Sequence, residues 1–174
     1  MEFEANVCVW VDENISEELF FLEVQVILHQ SWNWYFTKLA IQESEQDGCY
    51  RIGLVTSKWI QENITENEAN LSYAIPSKRS CYINLDRWNG IDPARENRLN
   101  LWQYRYYLIN HEFGHLLGLN HPEELCKNTT TTPMMNQHTL FKIYNRIPLF
   151  LPTRNDFLIQ QVQTEISNPN VRTG

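Results

Sequence analysis

Eleven residues constrain this chain more than any others. Positions 111 to 121 read His-Glu-Phe-Gly-His-Leu-Leu-Gly-Leu-Asn-His. His111 and His115 are four apart, so on a helix they project from one face, one above the other, close enough to share a metal ion. The preceding stretch supports a helix. Asn100 is placed as an N-cap, the helix is predicted to run from Leu101 to about Leu117, and Gly118 is placed to end it. Glycine takes up a left-handed backbone cheaply, so the chain can turn back there and bring His121 to the same metal. A fold for this chain must therefore bury one end of a long helix and leave room for a returning loop.

The chemistry follows from the donor types. A catalytic zinc usually takes three protein ligands and keeps a fourth position open. His111, His115 and His121 supply three neutral imidazoles for one catalytic Zn(2+) ion. Glu112 lies one step round the helix, too offset to be an easy ligand but near enough to act as general base to a zinc-activated water. The five fixed positions co-occur by chance with odds on the order of one in 10⁵ in a chain this long. Glu123 and Glu124 are alternative ligands of a different zinc class, and the pairing of Gly118 with His121 argues against them.

The chain has 174 residues, 43% of them hydrophobic and 20% charged, the profile of one soluble domain with a real core. We expect a single domain over 1–174, with an upper part to about 118 and a lower part from about 119. The net charge of −7 and the lack of a Lys/Arg stripe exclude nucleic acid as a partner. No apolar run approaches a membrane span. The N-terminal Met1-Glu2-Phe3-Glu4 lacks the basic-then-apolar plan of a signal peptide, which points to an intracellular protein unless the chain has been trimmed. Four Asn-x-Ser/Thr sequons, at Asn14, Asn63, Asn70 and Asn128, are weak evidence the other way. The cysteines, at 8, 49, 81 and 126, form no CxxC pair; disulfides and free thiols are both open.

Elsewhere the pattern predicts a strand over Asn6 to Val11 and a long helix from Ser16 to about Tyr35, with Phe20, Val24, Ile27 and Leu28 on one face. Tyr50 to Thr56 reads as a strand, Ser57 to Ile64 as a short helix or turn, and Leu71 to Ile75 as a strand closed by Pro76. Cys81 to Leu85 reads as a further short strand. Residues 121 to about 151 show little periodicity. A last helix begins at Pro152 and Thr153, with Thr153 and Asp156 as a capping pair and Phe157, Leu158, Val162 and Ile166 as its apolar face. Trp32, Trp34, Tyr35 and Phe36 read as a core anchor, and His29 and His138 as structural or surface residues.

His111-Glu112-x-x-His115-x-x-Gly118-x-x-His121 resembles the extended zinc motif of the metzincin metallopeptidases. Ser80-Cys81, Asn84-Leu85-x-Arg87-Trp88, Tyr104-Arg105-x-Tyr107, Asn110 and Met134-Met135-x-Gln137 resemble a group of short metzincin-like domains found mainly in actinobacteria. The resemblance covers roughly residues 50 to 140. It implies an α+β, zincin-like fold: a twisted, mostly parallel sheet with one antiparallel edge strand, a backing helix, an active-site helix, and a small C-terminal subdomain ending in a helix. It implies a methionine turn beneath the metal, filled by Met134 or Met135. It places Cys81, Tyr82, Ile83, Asn84 and Leu85 as the edge strand that offers its backbone to an extended peptide. It also implies a zinc metalloendopeptidase acting on a peptide or protein substrate, and we expect a monomer. A tyrosine just after the methionine turn, present in several metzincins, is missing, and Tyr144 is a remote substitute. Two other functions stay open: a non-catalytic zinc-binding interaction module, and a zinc hydrolase of a non-peptide amide or ester. The intact Glu112 argues against the first.

Overall fold

The alternation of large and small side chains along β1 (Glu4–Val11) sorts the molecule into two faces. Ala5, Val7 and Val9 point into the main core, while Trp10 packs on the opposite side. The computed structural model describes residues 3–91, 99–122, 131–137 and 147–157, and the backbone of 172–173. After β1 come helix α1 (Phe20–Trp32), β2 (Lys38–Gln42), β3 (Tyr50–Val55), helix α2 (Ser57–Asn63) and β4 (Tyr73–Ile75). A 3-10 turn at Pro76–Lys78 leads to β5 (Ser80–Asn84), the one-turn helix α3 (Leu85–Trp88) and helix α4 (Leu101–Leu116). Three two-residue strands follow: β6 (Thr131–Thr132), β7 (Ile147–Pro148) and β8 (Arg172–Thr173).

The main sheet has the order β2-β1-β3-β5-β4-β8. Pairing is parallel from β2 through β5, β4 runs antiparallel to β5, and β8 runs antiparallel to β4. This is the mostly parallel α+β architecture with an antiparallel pair that the resemblance implies. A parallel sheet must be covered on both faces. One face carries Val7, Val9, Ile52, Leu54, Cys81 and Ile83 against α1 and α4. The other carries Val55, Leu71 and Tyr73 against Ile60 of α2, ringed by Trp10, Trp59 and Tyr82. Gly53 suits that face, because a Cβ there would sit 2.3 Å from the Trp10 ring and force it to shift.

The edge strand needs correction. Residues 80–84 are internal, held by β3 on one side and β4 on the other, and Leu85 begins α3. The antiparallel strand beyond them is Tyr73–Ile75, and its outer side pairs with residues 172–173. The physical signal was Pro76, which has no N–H for a ladder and so marks the shorter strand as the peripheral one. Cys81 and Ile83, both fully buried, suit a strand with neighbours on both sides.

The first helix is shorter than expected and an unforeseen strand follows it. The first helix starts at Phe20 and ends at Trp32, and β2 follows it within six residues. Lys38-Leu39-Ala40-Ile41-Gln42 has only one strong strand former, Ile41, which is why its sequence is silent. His29 lies exposed in the last turn of α1. The aromatic anchor forms around Trp32 and Phe36, which are buried, with Trp32 meeting Phe113 edge-on at 5.5 Å, while Trp34 lies exposed at its rim. The final helix is described at 154–157, and its residues Leu158, Val162 and Ile166 lie outside the described residues.

Cys8 and Cys49 form a disulfide that ties β1 to the residue preceding β3. Cys81 is a buried free thiol, and Cys126 lies outside the described residues.

Candidate metal centre

Helix α4 opens with a full capping box. The Asn100 side chain accepts from the N–H of Gln103, and the Gln103 side chain accepts from the N–H of Asn100. From Tyr106 to Leu116 every residue is buried, so the helix is driven through the middle of the molecule rather than laid on it. Three side-chain anchors hold it. Arg105 reaches Glu23 of α1 at 2.9 Å. Asn110 accepts from Trp32 Nε1 at 3.1 Å and donates to Ser31 Oγ at 2.8 Å and to Phe150 O at 2.9 Å. Tyr107 donates its hydroxyl to Asn136 O at 2.9 Å.

The helix ends where the glycine placed it. Gly118 has φ +96°, its N–H reaches His115 O, and the N–H of Leu119 reaches Gly114 O. That pair of bonds is a Schellman closure. It returns the chain so that His121 faces His111 and His115.

The hydrogen bonds set the protonation of two rings. His111 Nδ1 lies 2.9 Å from Met134 O, and His115 Nδ1 lies 2.7 Å from Leu119 O. A carbonyl can only accept, so both Nδ1 atoms carry the proton and both Nε2 atoms keep a lone pair. Those Nε2 atoms lie 3.1 Å and 3.0 Å from His121 Nε2. Four-coordinate zinc with Zn–N of about 2.0–2.1 Å would hold its nitrogens about 3.3 Å apart. The residues present therefore fit a zinc ion, and they form the only such three-residue group among the described residues.

The methionines divide the role that sequence left open. Met134 supplies the carbonyl that orients His111. Met135 lies under the helix: a Cβ on Gly114 would be 2.7 Å from its sulfur. Both are buried, and the turn closes with the Asn136 N–H on Pro133 O.

Glu112 is fully buried, and neither carboxylate oxygen has a hydrogen-bond partner among the described residues. Burial pushes its pKa well above the usual carboxylate value, and the Arg87 guanidinium works against that rise. Arg87 is itself buried on α3, with Nε donating to Asn70 O at 2.5 Å. The α3 helix is set by Asn84, whose side chain accepts from the N–H groups of Asp86 and Arg87 and donates to Ser57 Oγ and Ala69 O. Glu112 also helps raise the pKa values of the Cys81 thiol and, to about 12, of Tyr73, though burial is the larger cause for both. Strands β4 and β5 thus border the carboxylate.

The structure brings together His111, His115 and His121, with Met134 O on His111 and Met135 against Gly114; Glu112 adjoins His111 along α4, and Gly118 closes that helix. Of the five residues assigned to peptide pairing, Tyr82, Ile83 and Asn84 are interior strand and Cys81 faces the core. Glu123, Glu124, His138 and Tyr144 lie outside the described residues. Sequence reasoning did not single out the Leu119 carbonyl, the Tyr107 hydroxyl or the closeness of Arg87 to Glu112. Arg87 left a trace, as a charge between Asp86 and Trp88 soon after a buried strand.

Residues 4–166 match the family described as "Protein of unknown function (DUF3152)". No curated protein and no solved structure matches the chain.

Proposed function

The chain belongs to the DUF3152 family, and we propose that it is a zinc-dependent endopeptidase in which Glu112 is the general base. The observation that carries this reading is Glu112 itself. A carboxylate buried without a hydrogen-bond partner is costly, and it sits next in sequence to one of three histidines whose ring nitrogens converge. A structural metal site has no need of it.

A zinc ion held by His111, His115 and His121 would polarise a carbonyl and acidify a water towards a pKa of about 7. Glu112 would take the proton of the attacking water and return it to the leaving amine. Burial raises the Glu112 pKa and the Arg87 guanidinium opposes that rise. The metzincin resemblance supports the same reading. An extended peptide would pair with a sheet edge beside α4. Strand β4 borders that helix, and its outer side is shared with residues 172–173.

The test is to incubate the zinc-loaded protein with a diverse peptide mixture and read new termini by mass spectrometry, with Glu112→Gln in parallel. Wild-type cleavage should fall by about 10²–10⁴-fold in the variant, while zinc still binds. Cleavage that survives the substitution refutes the mechanism. Zinc binding with no new termini in either protein refutes general peptidase activity and leaves a binding module or a hydrolase of another amide or ester.

A further inference from the structure

Two of the three histidines draw their acceptor carbonyls from different places. The acceptor for His115 is Leu119 O, and the turn that closes α4 fixes it locally. The acceptor for His111 is Met134 O, 23 residues away in sequence, in the turn 133–136. A carbonyl in the helix's own closing turn needs no outside support, but a distant segment has to be held against the helix. Three contacts with α4 do so. His111 itself donates to Met134 O at 2.9 Å. Met135 lies against Gly114, where a Cβ would be 2.7 Å from its sulfur. The Tyr107 hydroxyl donates to Asn136 O at 2.9 Å. Tyr107 and His111 are four apart and share one face of α4. Together they grip the carbonyls of the two residues that flank Met135. Tyr107 is fully buried, and its ring lies 5.0 Å from that of His111.

We propose that Tyr107 is a positioning residue of the metal centre: its bond to Asn136 O holds the turn 133–136 where Met134 O meets the His111 Nδ1–H. The turn is closed on itself by the Asn136 N–H on Pro133 O, so its two ends move together. A restraint at Asn136 O is therefore felt at Met134 O. With that carbonyl fixed, the His111 ring keeps its tautomer and its plane, as outer partners do for metal-binding histidines generally. Its Nε2 then stays aimed at the point where His115 and His121 converge. Without the hydroxyl, Asn136 O loses a buried partner, and the turn must shift to regain one. A metal site tolerates a ligand displacement of only about 0.2 Å.

A buried tyrosine can also serve the core alone. Tyr106 supplies the comparison. It is the preceding residue on the same helix and is also buried, but its hydroxyl donates to Gln30 Oε1 of α1. Core packing predicts that removing either hydroxyl changes stability only. The clamp predicts that the Tyr107 hydroxyl also changes His111.

The experiment compares wild type, Tyr107→Phe and Tyr106→Phe by urea titration, by chelator competition for zinc, and by ring ¹⁵N shifts of the histidines in metal-free protein. The phenylalanine keeps the ring beside His111 and removes only the donor. The proposal rests on the metal-centre reading and not on peptidase activity. Tyr107→Phe should weaken zinc binding roughly 10-fold and shift the His111 nitrogens more than those of His115. Tyr106→Phe should lower the urea midpoint and leave zinc affinity and the histidine shifts near wild type. Zinc affinity of Tyr107→Phe within about twofold of wild type, with unchanged His111 shifts, overturns the clamp while the metal centre stands. Equal losses of affinity in both variants overturn it too, since they would follow stability and not the turn. A wild type that binds no zinc overturns the metal centre and the clamp with it. Should Tyr107→Phe fail to fold, the hydroxyl proton of Tyr107 in the metal-free wild type decides. It should be protected from exchange, and exchange at the solvent rate overturns the proposal.

Discussion

Asn110 precedes the first histidine and joins three parts of the molecule, so Asn110→Ala should damage both fold and site. The side chain is fully buried and its three bonds are to buried or half-buried partners. Its removal orphans the Trp32 indole N–H and the Phe150 carbonyl, while the Ser31 hydroxyl can rotate to a backbone carbonyl of its own helix. An orphaned buried group costs about 1–3 kcal/mol, which gives about 2–6 kcal/mol for two. With a urea slope of about 2 kcal/mol/M the midpoint should fall by about 1–3 M. The site should respond as well, because Asn110 fixes how α4 is turned. A ring nitrogen about 6 Å from the helix axis moves about 1 Å for a turn of about 10°, against a tolerance of about 0.2 Å at a metal. Urea titration and chelator competition on the same sample read both effects. A midpoint shift under about 0.5 M with wild-type zinc affinity would refute the reasoning, since it would mean that the three bonds neither stabilise nor orient the helix.

Two other perturbations test the same frame. Gly118→Ala places a Cβ on a residue at φ +96° and should cost about 1–2 kcal/mol; because that turn returns His121, zinc affinity should fall with it, and unchanged stability by thermal melt would contradict the Schellman closure. Replacing Cys8 and Cys49 by serine releases a cross-link between residues 41 apart and should cost about 4 kcal/mol. For a chain of this size that lowers Tm by about 8–16 °C, and a melt within about 2 °C of wild type would show that the bridge is not a structural one.

Much of the metal centre was legible because its geometry is local. The spacing of His111 and His115 carries their shared face, Asn100 with Gln103 carries the helix start, and Gly118 carries its end. Strands β1 and β3 were legible from β-branched runs, and so was the aromatic anchor after α1. What tertiary structure alone decided is everything joined across the sheet or across a crossover. The order β2-β1-β3-β5-β4 put Tyr73–Ile75 outside residues 80–84, which no local pattern distinguishes beyond a proline. The weak strand β2 exists because β1 offers it a ladder. Met134 and Met135 took different tasks because one presents a carbonyl to His111 and the other a side chain to Gly114. Arg87 came near Glu112, and the Asn136 carbonyl reached the Tyr107 hydroxyl, through packing between segments far apart in sequence. Residue spacing encodes which groups share a helix face or a turn. Which carboxylate, carbonyl or cation lies against them depends on how separate elements bury their apolar faces, and that is settled only when the whole core closes.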